Sequence, residues 1–211
     1  QVAALNTSQV AALETEDLAA MGTVQLAALS SAQTAVLDTE QVAALSTTAI
    51  SALTVSALRG LTTGAVQALT SEQAAALTTS QIGGLLTTQV AAIETDDLAA
   101  LTTVQVRALS LDQLRSLSTD QVMALTTEQA RALTTAQVAA LTSTQVAAIQ
   151  TEDIAALQTQ QVAVLGSTQV AALTTEQVAA IETQDLVVLS SLALRGLTTL
   201  GVQALTTDQV A

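Results

Sequence analysis

An aliphatic residue returns at every eighth position of this chain without a single slip. The series runs Leu5, Leu13, Met21, Leu29, Leu37 and on to Leu197 and Leu205, and all 26 of its members are Leu, Met or Ile. A fixed short period without insertions signals one repeated structural unit rather than a succession of unrelated domains. We letter the octad a to h on the consensus L-T-T-x-Q-V-A-A, so that Leu5 is a and Ala12 is h. Site f is Val, Ile or Leu except at Thr34, Ala74 and Ala130. Site e is Gln or Asp except at Ala49, Ala57, Ala65, Ala193 and Gly201. Site c is Thr or Ser except at Val55 and Leu111, and site h holds only Ala, Gly, Ser and Val. Residues 1–211 therefore read as one uninterrupted octapeptide array.

The period decides the backbone. A continuous α-helix advances about 100° per residue, so eight residues overshoot two turns by about 80°. Sites f and a would then spiral around the helix and form no lasting stripe. No heptad or eleven-residue repeat supports a coiled coil. A strand requires alternation of period two, but f and a are separated by three residues and then five. What remains is one short helix per octad, broken and restarted each time. The expected fold class is an all-α solenoid of helices of about two turns, each running from near b or c to about h or a. Sites f and a form a narrow Val/Leu ridge. Helices this short are marginal alone, so the ridge must pack against neighbouring octads, with small h residues allowing close approach.

The charges sort by the same phase. All 18 acidic residues lie at b, d or e, and the five Arg (Arg59, Arg107, Arg115, Arg131, Arg195) all lie at g. Acids favour the first turn of a helix and cations the later part. Ser and Thr at b or c have the chemistry of N-caps, and Thr174 with Gln177 has capping-box spacing. Where b is acidic (Glu14, Glu94, Glu182), or Gln150 precedes Asp153, the Thr at c is the expected cap.

Composition excludes most chemistry. The chain has no His, Cys, Pro, Lys or aromatic residue. Zinc, haem, iron–sulfur and thiol chemistry lose their commonest ligands and nucleophiles. Ser-His-Asp devices and disulfides are impossible. We expect no catalytic, cofactor-binding or metal-ligating residues and no enzyme. A net charge of −13 opposes nucleic-acid binding. Polar residues interrupt every octad, so no transmembrane helix is expected.

The candidate sites have structural readings beside them. Glu14, Glu16 and Asp17, like Glu94, Asp96 and Asp97, crowd carboxylates; they read as solvated first-turn charge, with Ca²⁺ binding as the functional alternative. Arg59-Gly60 and Arg195-Gly196 read as a solvent-facing g residue or as a partner site. Gly64 and Gly83-Gly84 are expected to bend or loosen the array locally. Gln at e forms either an amide ladder or local caps. A-L-R-G-L-T-T at 57–63 recurs at 193–199, a shift of seventeen whole octads. That shift reads as block duplication, a superhelical period or chance. The chain opens and closes in mid-octad without a polar capping repeat, which reads as a segment of a longer array.

L-T-T-E-Q-V-A-A-I (173–181) resembles the opening of a TAL-effector repeat, over one short helix only. That family's second helix, base-reading loop and basic character have no counterpart. Over its whole length the array resembles the octapeptide T-x-Q-V-A-A-L tracts of very large bacterial secreted and surface proteins, including repetitive adhesins. That resemblance implies a structural role outside the cell. The expected function is a stalk, fibre, sheath or filament built by self-association. The alternative is a binding scaffold whose Thr-rich or acidic face engages carbohydrate, mineral, Ca²⁺ or ice.

Overall fold

The computed structural model describes residues 2–211. Among these, each octad forms one α-helix, twenty-six in all, after a 3₁₀ turn at Val2–Ala4; no strand is present. Tertiary contacts divide the chain into two compact units, one ending at Leu109 and one spanning Ser110–Ala211, with the division between sites a and b, in the extended link before a helix.

The helices are shorter than the sequence suggests, four to six residues from c to between f and h. The reason lies at site a. The amide of Leu53 donates to the carbonyl of Ile50 at 3.2 Å, and Leu101 donates to Leu98 in the same way. This three-residue bond closes the helix, and the a residue then leaves it with extended backbone (Leu53 φ −61°, ψ 139°; Leu101 φ −61°, ψ 142°). Site b continues extended (Thr54 φ −69°, ψ 156°). Two extended residues per octad, with no glycine in a left-handed conformation, suffice to turn the chain and restart the helix at c.

Capping mostly follows the sequence. Asn6, Ser30, Asp38, Ser46, Thr54 and their equivalents sit at the N-cap and accept the amide of residue e. The acidic-b octads differ from expectation. Glu14, Glu94, Glu182 and Gln150 remain the N-cap residues and make no side-chain cap bond, and the Thr at c is already helical. The helix start is set by the turn at a and by burial of f. It does not move by one residue to recruit a better cap.

Within each unit, helices pack at a spacing of three octads. Ser31–Thr34 lies against Val55–Gly60, Ser71–Ala76 against Thr95–Ala100, and Ser143–Ala148 against Ser167–Ala172. Val10, Leu18, Ile50 and Leu98 at f are fully buried, and Leu53, Leu101 and Leu141 at a nearly so. Within each unit such residues make the aliphatic ridge. Leu194, Val202 and Val210 at f are exposed.

Site h is small for a visible reason. A Cβ on Gly60 would run into the carbonyl of Ser31 and the hydroxyl of Thr34, and one on Gly196 into the carbonyl of Ser167. The h residue thus sits against residue c of the octad three units earlier. Gly84 does not loosen the array as expected: its missing side chain is replaced by Val55, one of the two aliphatic residues at c.

Candidate functional site: the e position

Site e is where polar chemistry meets the core. Gln73 is buried, and its carboxamide is used from both ends. Its Oε1 accepts the amide of Thr70 at 2.8 Å. Its Nε2 donates to the carbonyls of Val42 at 2.9 Å and Leu45 at 2.6 Å, residues f and a of a preceding turn. Gln81 holds Ile50 and Leu53 in the same way, Gln145 holds Leu114 and Leu117, and Gln177 holds Val146 and Ile149. These amides therefore bond the backbone, not each other. Neither alternative from the sequence is complete: the Gln is a local clamp on its own b residue and also a clasp across the turn. Helices that pack three octads apart, joined by clasps that reach from e to the next f and a carbonyls back, place between three and four octads in each superhelical turn.

Buried amides of this kind impose register. The f and a carbonyls lie beside the aliphatic ridge, where an unsatisfied polar group costs about 1–3 kcal/mol. Only a side chain with one acceptor and two donors at this length can serve all three backbone groups at once. At Ala49, Ala57 and Ala65 the clasp has no donor; separately, Thr34 at f donates to the carbonyl of Ala57 at 2.6 Å.

Aspartate at e changes the chemistry. Asp97, Asp153 and Asp185 are all buried. A hydroxyl at c, 26 residues earlier, donates to two of them: Ser71 to Asp97 at 2.8 Å and Thr127 to Asp153 at 2.7 Å. Burial is the main cause raising the Asp97 carboxyl above the usual range. The Ser71 hydroxyl opposes it, and Glu94, Asp96 and Glu72 add to it by repulsion. Asp153 is raised in the same way by burial, with Thr127 opposing and Glu152 and Glu128 adding. Exposed Glu176 is lowered by its own backbone amide and the hydroxyls of Thr175 and Thr174. The acidic groups singled out in the sequence are thus not uniform. Asp97 is a core residue among solvated neighbours, while Glu14, Glu16 and Asp17 are not buried. Sequence reasoning did not mark Asp153 and Asp185 as buried; the available signal was an acid standing where Gln is the rule.

The other candidates resolve into packing. All five Arg are exposed. Arg115 donates from Nε to the carbonyl of Ala140 at 3.0 Å and pairs with Asp112 at 3.3 Å across open surface, a pair of small energetic value. Gly60 and Gly196 owe their presence to Ser31 and Ser167, which are themselves seventeen octads apart. The repeated A-L-R-G therefore recurs together with its packing partner. Among the described residues no three of His, Cys, Asp and Glu converge into a metal-binding group, and no helix is long and apolar enough to cross a membrane. The gap beside Ala130, lined by Val122, Leu125 and Val146, measures about 10 Å³, room for about one water.

Fold and e site together define an α-solenoid of eight-residue units tied by backbone-directed amides. The chain belongs to the ALTTAQ repeat family, whose pattern matches residues 10–47, 90–127, 123–149, 146–180 and 178–211, more than half of its length. Comparison with curated proteins gives no match.

Proposed function

We propose that this chain is a non-enzymatic structural repeat protein that spaces or builds an extended assembly, as a stalk, fibre or sheath, through one continuous octad array. The observation that carries this reading is the short, constant reach of its tertiary bonds. Every clasp spans 28 to 31 residues, so each octad is stabilised by near neighbours and length can be added without redesigning a core. The octapeptide resemblance supports an extracellular or cell-surface setting in bacteria. Self-association along or beside the array is the expected partnership. Electron microscopy of the purified chain over a range of concentrations tests this: elongated particles or filaments support it, and compact isolated particles at every concentration contradict it.

A binding scaffold is the second reading, favoured by exposed Thr79, Thr119 and Thr159 at site c. Calorimetry against carbohydrate or mineral surfaces giving no heat would remove it.

A further inference from the structure

The octad 182–189 carries acids at both b and e, Glu182 and Asp185, as do the octads of Glu14 with Asp17 and Glu94 with Asp97. Three and four octads earlier, Gln158 and Gln150 at b donate from Nε2 to carbonyls 27 residues back, those of Arg131 at 3.2 Å and Met123 at 3.0 Å. Gln at e donates to carbonyls 31 and 28 residues earlier, as Gln177 does to Val146 and Ile149. In this octad b is Glu182 and e is Asp185. The same register sets Glu182 over the carbonyl of Ala155 and Asp185 over those of Ile154 and Leu157. The amide donor usual at e is replaced here by an acceptor, Asp185, that faces acceptors.

The other buried aspartates escape this conflict through a hydroxyl, but Asp185 does not. Thr159 stands in the register of Ser71 and Thr127, yet Asp185 Oδ1 is buried and has no hydrogen-bond partner. The h residues that close on Ser71 and Thr127 in this register are Ala100 and Ala156; on Thr159 it is Val188, a bulkier residue at the close-approach site. Beside Asp185 a polar cleft of about 330 Å³ opens, bounded by Ala155, Leu157, Gln158, Thr159, Glu182 and Gln184, with Arg131 at its rim. Gln184 Nε2 already donates to Glu182 Oε2 at 2.6 Å, which holds that carboxylate at the cleft.

We propose that this cleft is an oxygen-lined site for a divalent cation of the calcium class, held by Asp185 and Glu182 with backbone carbonyls of the 154–157 turn. A cation there takes the place of the missing amide donors and ties octad 182–189 to the preceding turn. The ligand set is all hard oxygen and irregular in geometry, which suits Ca²⁺ over the smaller, strictly octahedral Mg²⁺. With two carboxylates and a guanidinium nearby, affinity belongs in the weak range of about 10⁻⁴–10⁻³ M. The site stands independently of the structural function proposed above, since a stalk with or without bound cation remains a stalk.

The test is calorimetric titration of the full chain with CaCl₂ in about 0.15 M NaCl, which screens diffuse attraction to the acidic surface. Circular-dichroism melts with and without CaCl₂ accompany it. The expected result is one saturable site, a raised melting temperature in CaCl₂ and a weaker response to MgCl₂. Asp185→Asn should abolish the saturable heat. Glu182→Gln, at an exposed position that leaves the fold intact, should weaken it about tenfold or more. Arg131→Gln should tighten it several-fold, and Asp97→Asn should leave it unchanged. Three outcomes overturn the proposal. One is no saturable heat up to about 10 mM CaCl₂, well above the expected range. Another is heat that persists in both Asp185→Asn and Glu182→Gln. A loss of stability in Thr159→Val with no cation response would assign Asp185 to that hydroxyl and equally overturn it.

Discussion

Gln73 donates from its side-chain nitrogen to the carbonyl of Leu45, 28 residues earlier, at 2.6 Å. The bond joins two octads that share no sequence neighbour and does so inside the aliphatic core. Its equivalents make site e the position where local and long-range order meet. Truncating one should therefore cost more than a surface polar group. Gln81→Ala removes the partner of the Leu53 carbonyl and of the Thr78 amide, and leaves the Ile50 carbonyl with the Leu53 amide alone. We expect a loss of about 2–4 kcal/mol, read from urea denaturation followed by circular dichroism. Exposed Gln184→Ala should fall within about 0.5 kcal/mol of the parent.

Glycines at different octad sites should respond in opposite directions. Gly60→Ala forces a methyl group onto the backbone of Ser31, and overpacking of this kind costs about 1–3 kcal/mol. Gly64 faces open space, with Thr62 Oγ1 at 3.9 Å as its nearest neighbour. Gly64→Ala lies inside the helix Thr63–Gln67 and should stabilise by about 0.4–1 kcal/mol. Thermal melts of the two variants would check the sign of each.

Site b offers gains where it lacks a cap. Leu86 begins the helix Thr87–Val90 without a side-chain bond, although Gln89 Oε1 still accepts its amide at 3.0 Å. Leu86→Thr supplies the hydroxyl that Thr78 uses one octad earlier and should add about 0.5–1 kcal/mol. The reverse change, Thr54→Ala, should remove about 1 kcal/mol, measured in the same denaturation series.

Acid should tighten the fold around the buried aspartates. Asp97 and Asp153 have carboxyls raised above 3.8 in the folded chain, chiefly by burial. The folded state therefore holds these protons more strongly than the unfolded state, and stability rises as pH falls through the raised folded value toward 3.8. Above the raised folded value that gain is absent. Comparing the parent with the Asp97→Asn, Asp153→Asn double variant isolates this part from the general relief of acidic repulsion. The double variant should be more stable at neutral pH and show a shallower rise on acidification. An equal slope in both proteins would contradict the assignment.

The period, the helix per octad, the sorting of charge and the small h residue were all legible in the sequence. Each follows from interactions inside one octad or from a simple steric requirement. Helix length was not, because its end depends on Leu53 and its equivalents bonding back three residues and then extending, a choice made by burial rather than propensity. Capping at Glu94 misled for the same reason: the turn positions the helix start, and the cap residue is whatever stands there. The clasp of Gln73 was half legible. Its spacing from Thr70 shows the local bond, but the partner carbonyls become visible only once the number of octads per turn is known. The burial of Asp185 was hidden likewise, since b, d and e acids look alike until packing separates them.

The central claim is the register that returns each octad to the one three units earlier, and the chain's lack of cysteine makes it directly measurable. Ser143 at c and Ala172 at h, three octads on, stand on helices that pack together. A Ser143→Cys, Ala172→Cys pair should oxidise rapidly to an intrachain disulfide, since bridging needs Cβ atoms within about 4.5 Å. Ser143→Cys paired with Val164→Cys or Ala180→Cys, one octad short or long, should remain reduced under the same conditions. Oxidation of the mismatched pairs as fast as the matched one, or failure of the matched pair alone, would contradict the three-octad register.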